Sequence, residues 1–252
     1  MTDCTISRRW DGSGLPPHEH VRLRVSIESD LPEAPGEDCL VVAVDAPFYN
    51  DPRPHPDSAT HHLHHEQTHV TDGKGCLNFE GLWKFEVVEL FIKGRSDKYI
   101  EIEMGPHGHY LILACDGHRQ CFHRGIEPIH YSATISGSRW TGRMVCPLQL
   151  LPPPSYIPSA PYSFNAYAIH NKESGERVHC AAFPPAQFEE TSETYAKPDF
   201  HKLELFNPLT GVEVSCHPAV RSIWDSRPYI CLDMGAVSKE SELEEGQVSP
   251  RE

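Results

Sequence analysis

The sequence lacks several features that would assign it to familiar classes. None of its apolar runs approaches the roughly 18 residues that a membrane-spanning helix needs. The first fourteen residues contain Arg8, Arg9 and Trp10 but no apolar core of a signal peptide, so secretion is not expected. A formal net charge of -14 argues against nucleic-acid binding, because phosphate recognition needs a clustered basic surface. Neither a membrane nor a nucleic acid is therefore an expected partner.

The motifs of several catalytic classes are also missing. The chain holds no CxxC pair, no glycine-rich phosphate loop and no Ser or Cys in a nucleophile elbow. Its nine cysteines lie mostly in apolar runs, among them Cys39, Cys115, Cys121, Cys146 and Cys180. Such placement favours small buried thiols in a reducing compartment over a disulfide framework. A cytoplasmic location is the resulting prediction.

Short apolar runs, separated by the 23 prolines and by glycine-containing turns, predict an all-β fold. In Lys98–Met104, Ile100, Ile102 and Met104 share one face, while Tyr99, Glu101 and Glu103 share the other. Ten strands are expected, at Val21–Ile27, Cys39–Asp45, Trp83–Ile92, Lys98–Met104, His109–Cys115, Ile129–Ile135, Arg139–Val145, Tyr162–His170, Arg177–Phe183 and Leu203–Phe206.

The expected organisation is one β-sandwich domain over residues 1–206 with a histidine-rich loop insertion at 50–75. Residues 207–252 form an extension whose acidic, serine-rich end is predicted to be disordered.

Within the loop, the stretch from His65 to His69 matches the zinc-hydrolase pattern H-E-x-x-H. If the stretch were helical, His61, His65 and His69 would share one face and could hold a metal ion. The segment offers only Leu63 and Val70 as apolar residues, however, and five histidines among nine residues make a chance match easy. An exposed loop is the favoured interpretation, with no cofactor and only adventitious zinc or nickel binding.

A second group of polar residues is spread over the predicted strands. Hairpin pairing would bring Glu101 and Glu103 close to Glu89. A sheet face that carries carboxylates, an amide, an imidazole and an indole suits a sugar-like ligand, although a self-satisfied buried polar network is an equal alternative. The predicted ligand-binding residues are Trp83, Glu89, Glu101, Glu103, His107, Asn165, His170 and Arg177.

Six stretches resemble an uncharacterised animal protein family known by an open-reading-frame label on human chromosome 4. They are Trp10–Gly12, Asp45–Phe48, Leu82–Phe91, Tyr99–Gly108, Phe164–His170 and Lys197–His201. More distantly, the same stretches are similar to family 9 carbohydrate-binding modules and DOMON-like domains.

That resemblance implies a jelly-roll-like antiparallel β-sandwich in which two indole rings clamp a sugar. Trp83 would be one ring, Glu89 the carboxylate and Asn165 the amide. The second tryptophan is missing, because Tyr167 and Ala168 stand where it is expected. The resemblance is therefore a better guide to the fold of this chain than to its ligand.

The favoured function is a non-catalytic, carbohydrate-binding-like module for a glycan, a polyol or a protein partner. Two alternatives stay open. One is an enzyme, with or without a metal, that uses Glu89, Glu101, Glu103 and His107 and would show a pocket and a raised carboxyl pKa there. The other is a scaffold that recruits protein partners through its acidic tail and proline-rich loops.

Overall fold

The computed structural model describes residues 1–54, 77–172, 174–185, 197–212 and 223–224. These residues form two antiparallel sheets packed face to face, which confirms the predicted all-β, jelly-roll-like sandwich. None of the helices in these ranges is long and apolar enough to cross a membrane.

The smaller sheet has five strands in the order β1-β3-β4-β10-β9. Its longest pair, β3 with β4, matches Leu23 with Val44 and Val25 with Val42, so that apolar side chains stack on one face. The strand bounds are β1 Thr2–Ile6, β3 Val21–Leu31, β4 Ala34–Pro47, β9 His130–Ser136 and β10 Arg139–Pro147.

The larger sheet follows the order β2-β12-β11-β5-β6-β7-β8, with the short β13 paired to β11. Its strands are β2 Arg8–Arg9, β5 Val87–Lys93, β6 Lys98–Met104, β7 Tyr110–Asp116, β8 Cys121–Arg124, β11 Ser163–Asn171, β12 Arg177–Ala181 and β13 Asn207–Pro208. Short 3-10 helices occur at Pro17–Glu19, Leu82–Lys84, Leu148–Leu150 and Leu203–Leu205.

Two of the predicted strands are partly or wholly replaced by 3-10 helix in the structure. The strand expected from Trp83 begins only at Val87, because Leu82–Lys84 turns as a 3-10 helix. The strand expected at Leu203–Phe206 is also wrong, since Leu203–Leu205 is helical. Both segments lie over the sheet and are not part of it, and alternation in four residues does not distinguish the two states.

Both faces of the larger sheet are buried. Residues such as Leu90, Ile100 and Ile102 point into the sandwich interior and pack against the smaller sheet. The alternate residues, including Phe91 and Tyr99, form a second apolar cluster on the opposite face. We call this opposite face the outer face. Leu82, Phe200 and Leu205 contribute to the same cluster, so residues 79–85 and 200–206 cover the outer face.

Residues beyond the predicted domain limit at 206 also contact the sandwich. Leu209, Val212 and Trp224 are buried in its interior cluster, and the Leu209 amide donates to the Tyr162 carbonyl at 2.9 Å. The indole Nε1 of Trp224 donates to the Leu150 carbonyl at 3.2 Å. The predicted disordered end and residues 55–75 of the histidine-rich loop lie outside the described residues.

Candidate functional site

A cavity of about 750 Å³ lies between the outer face and the segments that cover it. The sheet contributes Glu89, Glu101, Leu113, Ile169, two residues of β12 and two residues of β8 to its wall. The full lining is Glu80, Trp83, Lys84, Glu89, Glu101, Leu113, Arg119, Cys121, Arg124, Ile169, Arg177, His179, Pro198, Phe200 and His201. Its volume falls in the range of small-molecule sites.

Three carboxyl groups cluster on the outer face beside this cavity. Glu89 and Glu103 are directly opposite each other on β5 and β6, and Glu101 is two residues from Glu103 on the same face. One carboxyl oxygen from each lies within 4.8 Å of the other two. Side-chain alternation and the hairpin register are sufficient to produce this arrangement, as the sequence predicts. We call these three residues the carboxyl cluster.

The carboxyl cluster is almost completely withdrawn from solvent, with exposed fractions of 2% for Glu89, 4% for Glu101 and 0% for Glu103. Glu89 Oε1, Glu101 Oε2 and both oxygens of Glu103 lack a hydrogen-bond partner within the described part of the chain. Burial, reinforced by the neighbouring carboxyls, raises the pKa of Glu89 and Glu103 well above the usual value.

Burial also raises the pKa of Glu101 to about 7, against the opposing effects of the adjacent Glu103 carboxyl and of the positive charges of Arg119 and Arg124. At neutral pH the cluster is therefore at least partly protonated, and its members can donate as well as accept hydrogen bonds.

His201 stands at the edge of the cluster. Its Nδ1 lies 2.7 Å from the Tyr99 hydroxyl, and its Nε2 lies 3.9 Å from Glu101 Oε2. Burial, followed by the positive charge of Arg119, lowers the pKa of His201 to about 3. The imidazole is consequently neutral near pH 7, and its approach to Glu101 is not an ion pair.

The turn between β7 and β8 is tied to the segment that carries His201. Asp199 accepts from Arg119 at 2.8 Å and lies 2.9 Å from His118 Nε2. Burial pushes the pKa of Asp199 upward, but the bonds from His118 and Arg119 outweigh it and leave the pKa below its usual value. The backbone amide of Arg119 also donates to the Tyr99 hydroxyl at 3.1 Å. These bonds fix one wall of the cavity.

The opposite wall carries the predicted indole. The guanidinium of Arg177 donates to the backbone carbonyls of Trp83 and Lys84, which holds the 3-10 helix Leu82–Lys84 against the sheet. Trp83 is half-buried and lines the cavity. Arg177 thus positions the segment that bears the ring, and burial lowers the pKa of Arg177 in spite of nearby Glu89.

Of the eight predicted ligand-binding residues, Trp83, Glu89, Glu101 and Arg177 line the cavity, and Glu103 adjoins them. Asn165 lies on the same face but is fully buried. Its amide group donates to the carbonyls of Phe183 and Leu205 and accepts from the amides of Ala166 and Phe183. These bonds engage the Asn165 side chain in holding backbone segments together.

The two predicted histidines lie elsewhere. His170 occupies the opposite face of β11, where its ring stacks on Tyr49 with centroids 3.5 Å apart. His107 lines a small recess with Glu86 and Asp51 and meets the edge of the Phe48 ring. His61, His65 and His69 fall outside the described residues.

Sequence reasoning missed His201, Arg119 and Asp199. Two of them stand in Lys197–His201, a stretch already singled out by resemblance, which was the available signal. Arg119 lies in a hairpin turn without a recognisable pattern.

One sequence expectation needs correction. Cys115 and Cys121 form a disulfide, whereas free thiols were predicted for both. The two residues pair across the β7–β8 hairpin, a register that the undetected strand β8 creates. Four other described cysteines, Cys4, Cys39, Cys146 and Cys180, are free and buried, as expected.

The chain is similar to proteins from several vertebrates. It is 34% identical over 209 residues to the UPF0462 protein C4orf33 homolog of Danio rerio, covering 82% of this chain and 88% of the relative. It is 30% identical over 217 residues to the UPF0462 protein C4orf33 of Homo sapiens, covering 84% and 92%.

No family model matches the chain. Among solved structures, a crystal structure of a "putative carbohydrate-binding protein" from Bacteroides uniformis aligns with a TM-score of 0.49 and 12% identity. The alignment covers 82% of this chain and 84% of that one.

Proposed function

We propose that this chain, which belongs to the family of UPF0462 protein C4orf33, is a binding protein whose cavity on the outer face takes a small polyhydroxylated ligand, a saccharide or a polyol. Membership of the family was predicted from the sequence and is confirmed by identities of 30–34% over most of each chain. The ligand is inferred from the cavity alone.

The observation that carries the proposal is the pair Glu89 and Glu101, which line a ligand-sized cavity and each have a buried carboxyl oxygen without a hydrogen-bond partner among the described residues. A buried polar atom without a partner costs about 1–3 kcal/mol, so a ligand that supplies the missing bonds gains that free energy. Hydroxyl groups both donate and accept, which suits a carboxyl cluster that is partly protonated.

The rest of the lining fits the same kind of ligand. Trp83 and Phe200 offer apolar surface for the C–H groups of a sugar ring. His201 is neutral, so it can hydrogen-bond a hydroxyl without introducing charge. The guanidinium of Arg119 is bonded to Asp199 and retains further donors for a ligand oxygen.

A cytoplasmic location is part of the proposal. Four free, buried cysteines among the described residues are typical of proteins in reducing compartments.

A thermal-shift screen of the purified chain against saccharides and polyols tests the binding function. A ligand at a hundredfold excess over its Kd should stabilise the chain by about 2.7 kcal/mol. Trp83→Ala should weaken the binding of that ligand about tenfold, because a stacking contact of about 1 kcal/mol or more is lost. Glu89→Gln should weaken it by a similar factor or more, because the Nε2 group of glutamine can only donate where a carboxyl oxygen can accept.

The control variant is Glu37→Gln, since Glu37 is an exposed carboxylate on the smaller sheet. It should bind every ligand like the wild-type chain. If Trp83→Ala and Glu89→Gln also retained wild-type affinity for each ligand found, the site assignment would be wrong.

A second candidate function has an observation in its favour. Glu101 combines a pKa of about 7 with a position in the cavity wall, which is the combination expected of a general acid. Product formation from a bound glycoside, abolished by Glu101→Gln with binding retained, would establish an enzyme and overturn the purely binding function. His107 has no place in that enzyme site, and His201 stands there instead.

A further inference from the structure

Two sulfur atoms and a carboxyl oxygen converge at one corner of the cavity. One ligand atom each from Glu101, Cys115 and Cys121 lies within 4.8 Å of the other two. Glu101 and Cys115 are buried, whereas Cys121 is half-buried and lines the cavity, which provides a path for entry. The two sulfurs are joined as a disulfide, and Glu101 Oε2 has no hydrogen-bond partner among the described residues.

We propose that reduction of the Cys115–Cys121 disulfide creates a zinc site formed by the two thiolates and the Glu101 carboxylate. Zinc binds sulfur at about 2.3 Å and carboxylate oxygen at about 2.0–2.2 Å, so its tetrahedral ligand atoms lie about 3.5–4 Å apart. The carboxyl oxygen lies within 4.8 Å of both sulfurs, and the sulfurs have to separate from bonding distance when the disulfide is reduced. Rotation of the two cysteine side chains about their Cα–Cβ bonds provides this separation.

His201 supplies the fourth ligand of this site after its ring moves toward the sulfurs, since its nitrogens are not among the ligand atoms that already lie within 4.8 Å of one another. Its Nε2 is 3.9 Å from Glu101 Oε2, while its Nδ1 contacts the Tyr99 hydroxyl at 2.7 Å. A ligating histidine typically donates its second N–H to an oxygen, which sets the tautomer and the ring orientation. When the Nδ1–H donates to Tyr99, the Nε2 lone pair is free to face the metal. Tyr99 is accordingly a positioning residue for the ligand.

The ligand set favours zinc over the hard cations. Thiolate and imidazole ligands select zinc and related soft or borderline ions, whereas calcium and magnesium require oxygen ligands. The site also differs in kind from the histidine-rich stretch, whose predicted ligands are the imidazoles of His61, His65 and His69.

The redox step needs a dithiol as co-reactant. The dithiol attacks the disulfide, is itself oxidised to a disulfide, and leaves Cys115 and Cys121 as two thiols, so that two electrons and two protons pass to the chain. Zinc then binds with the release of both thiol protons and of the Glu101 proton if that group is protonated. The oxidised chain has no thiolates at this corner and does not form the site.

Cobalt(II) substitution of the full-length chain tests the proposal, because thiolate ligands give cobalt a charge-transfer absorption that imidazole and carboxylate ligands do not. After reduction with a phosphine and anaerobic desalting, one equivalent of Co²⁺ should produce this absorption, and Zn²⁺ should abolish it. The oxidised chain should give none. Metal held by His61, His65 and His69 does not contribute to the signal.

Matched variants locate the site. Cys121→Ser should remove most of the absorption. It should also weaken zinc binding more than about 100-fold, because loss of a direct ligand costs more than the loss of a residue that only positions a ligand. Cys4→Ser, which alters a buried thiol in the sandwich interior, should leave both unchanged. Tyr99→Phe should retain the absorption and weaken zinc binding about tenfold.

Absence of the thiolate absorption in the reduced wild-type chain would overturn the proposal, and that measurement needs no variant to fold. Equal absorption in Cys121→Ser and Cys4→Ser would overturn it as well. The inference does not depend on the proposed ligand, since metal binding is measured with no saccharide present.

Discussion

At the residue scale, the carboxyl cluster determines the chemistry of the site. A buried carboxylate without a hydrogen-bond donor is costly to keep ionised, and nearby guanidinium charges offset only part of that cost here, so the group retains a proton to a higher pH. Glu89, Glu101 and Glu103 all follow this rule. The arrangement costs folding free energy, which is typical of residues placed for ligand recognition and not for stability.

The pH dependence of stability should reveal this cost. The pKa of Glu101 rises from 4.5 to about 7 on folding, so the folded chain binds more protons between these values. The stability from this group is complete below about pH 4.5 and is lost as the pH rises to about 7. Glu101→Gln should therefore gain stability relative to the metal-free wild-type chain between pH 5 and pH 8, by on the order of 3 kcal/mol at most.

Urea denaturation at several pH values measures this difference. Taking the difference between variant and wild type removes opposing contributions such as that of His201, whose lowered pKa destabilises the folded chain as the pH falls. Glu37→Gln serves as the exposed control. A wild type and a Glu101→Gln variant with parallel pH profiles would show that Glu101 is not a buried neutral acid.

At the element scale, the β5–β6 hairpin positions two of the three carboxyls, because it pairs Glu89 with Glu103. The turn of this hairpin packs against a proline-rich segment. The Gly94 amide donates to the Lys98 carbonyl at 3.0 Å, and the Arg95 amide donates to the Pro153 carbonyl at 2.7 Å. Pro152–Pro154 thus holds the turn of the hairpin in place.

Gly94→Ala should disrupt the contact between this turn and Pro152–Pro154 and lower the stability of the chain. A Cβ atom at Gly94 would lie 2.2 Å from the Pro153 carbonyl oxygen and 3.1 Å from Pro152 Cγ, so the backbone must shift. Overpacking of this kind costs about 1–3 kcal/mol. The matched control is Gly14→Ala, because nothing lies within 4 Å of that position. Equal urea midpoints for the two variants would mean that the turn and the proline segment are not in contact.

At the scale of the whole molecule, the larger sheet is buried on both faces, and the two faces have different roles. Its inner face builds the sandwich core with the smaller sheet, and its outer face supports the cavity. Residues after 206 contribute to the inner core, since Leu209, Val212 and Trp224 are buried there. The sandwich therefore draws on a part of the chain that sequence alone placed in the extension.

Truncation tests this contribution. A chain that ends at Trp224 should be more stable than one that ends at Phe206 by more than about 4 kcal/mol, because burial of each large apolar side chain stabilises by about 1.5–3 kcal/mol. Since total stabilities are about 5–15 kcal/mol, the shorter chain should be largely unfolded at 37 °C. Thermal denaturation of both chains provides the measurement. Similar midpoints would show that residues 207–224 do not stabilise the sandwich.

The sequence by itself determined the class of fold and much of the carboxyl cluster. Lys98–Met104 has the predicted ends and the predicted two faces, because side-chain alternation is a local property of an extended chain. The proximity of Glu89 to Glu101 and Glu103 also follows from local information, since a short turn joins the two strands.

Only the tertiary structure decided which polar residues share a site. Trp83 and His201 meet the carboxyl cluster because residues 79–85 and 200–206 fold over the outer face, and contacts so distant in sequence leave no periodic signal. The role of Asn165 also depends on distant contacts, since its side-chain amide donates to backbone carbonyls 18 and 40 residues away in the sequence. His170, by contrast, is five residues from Asn165 in the same strand, so side-chain alternation alone places it on the opposite face.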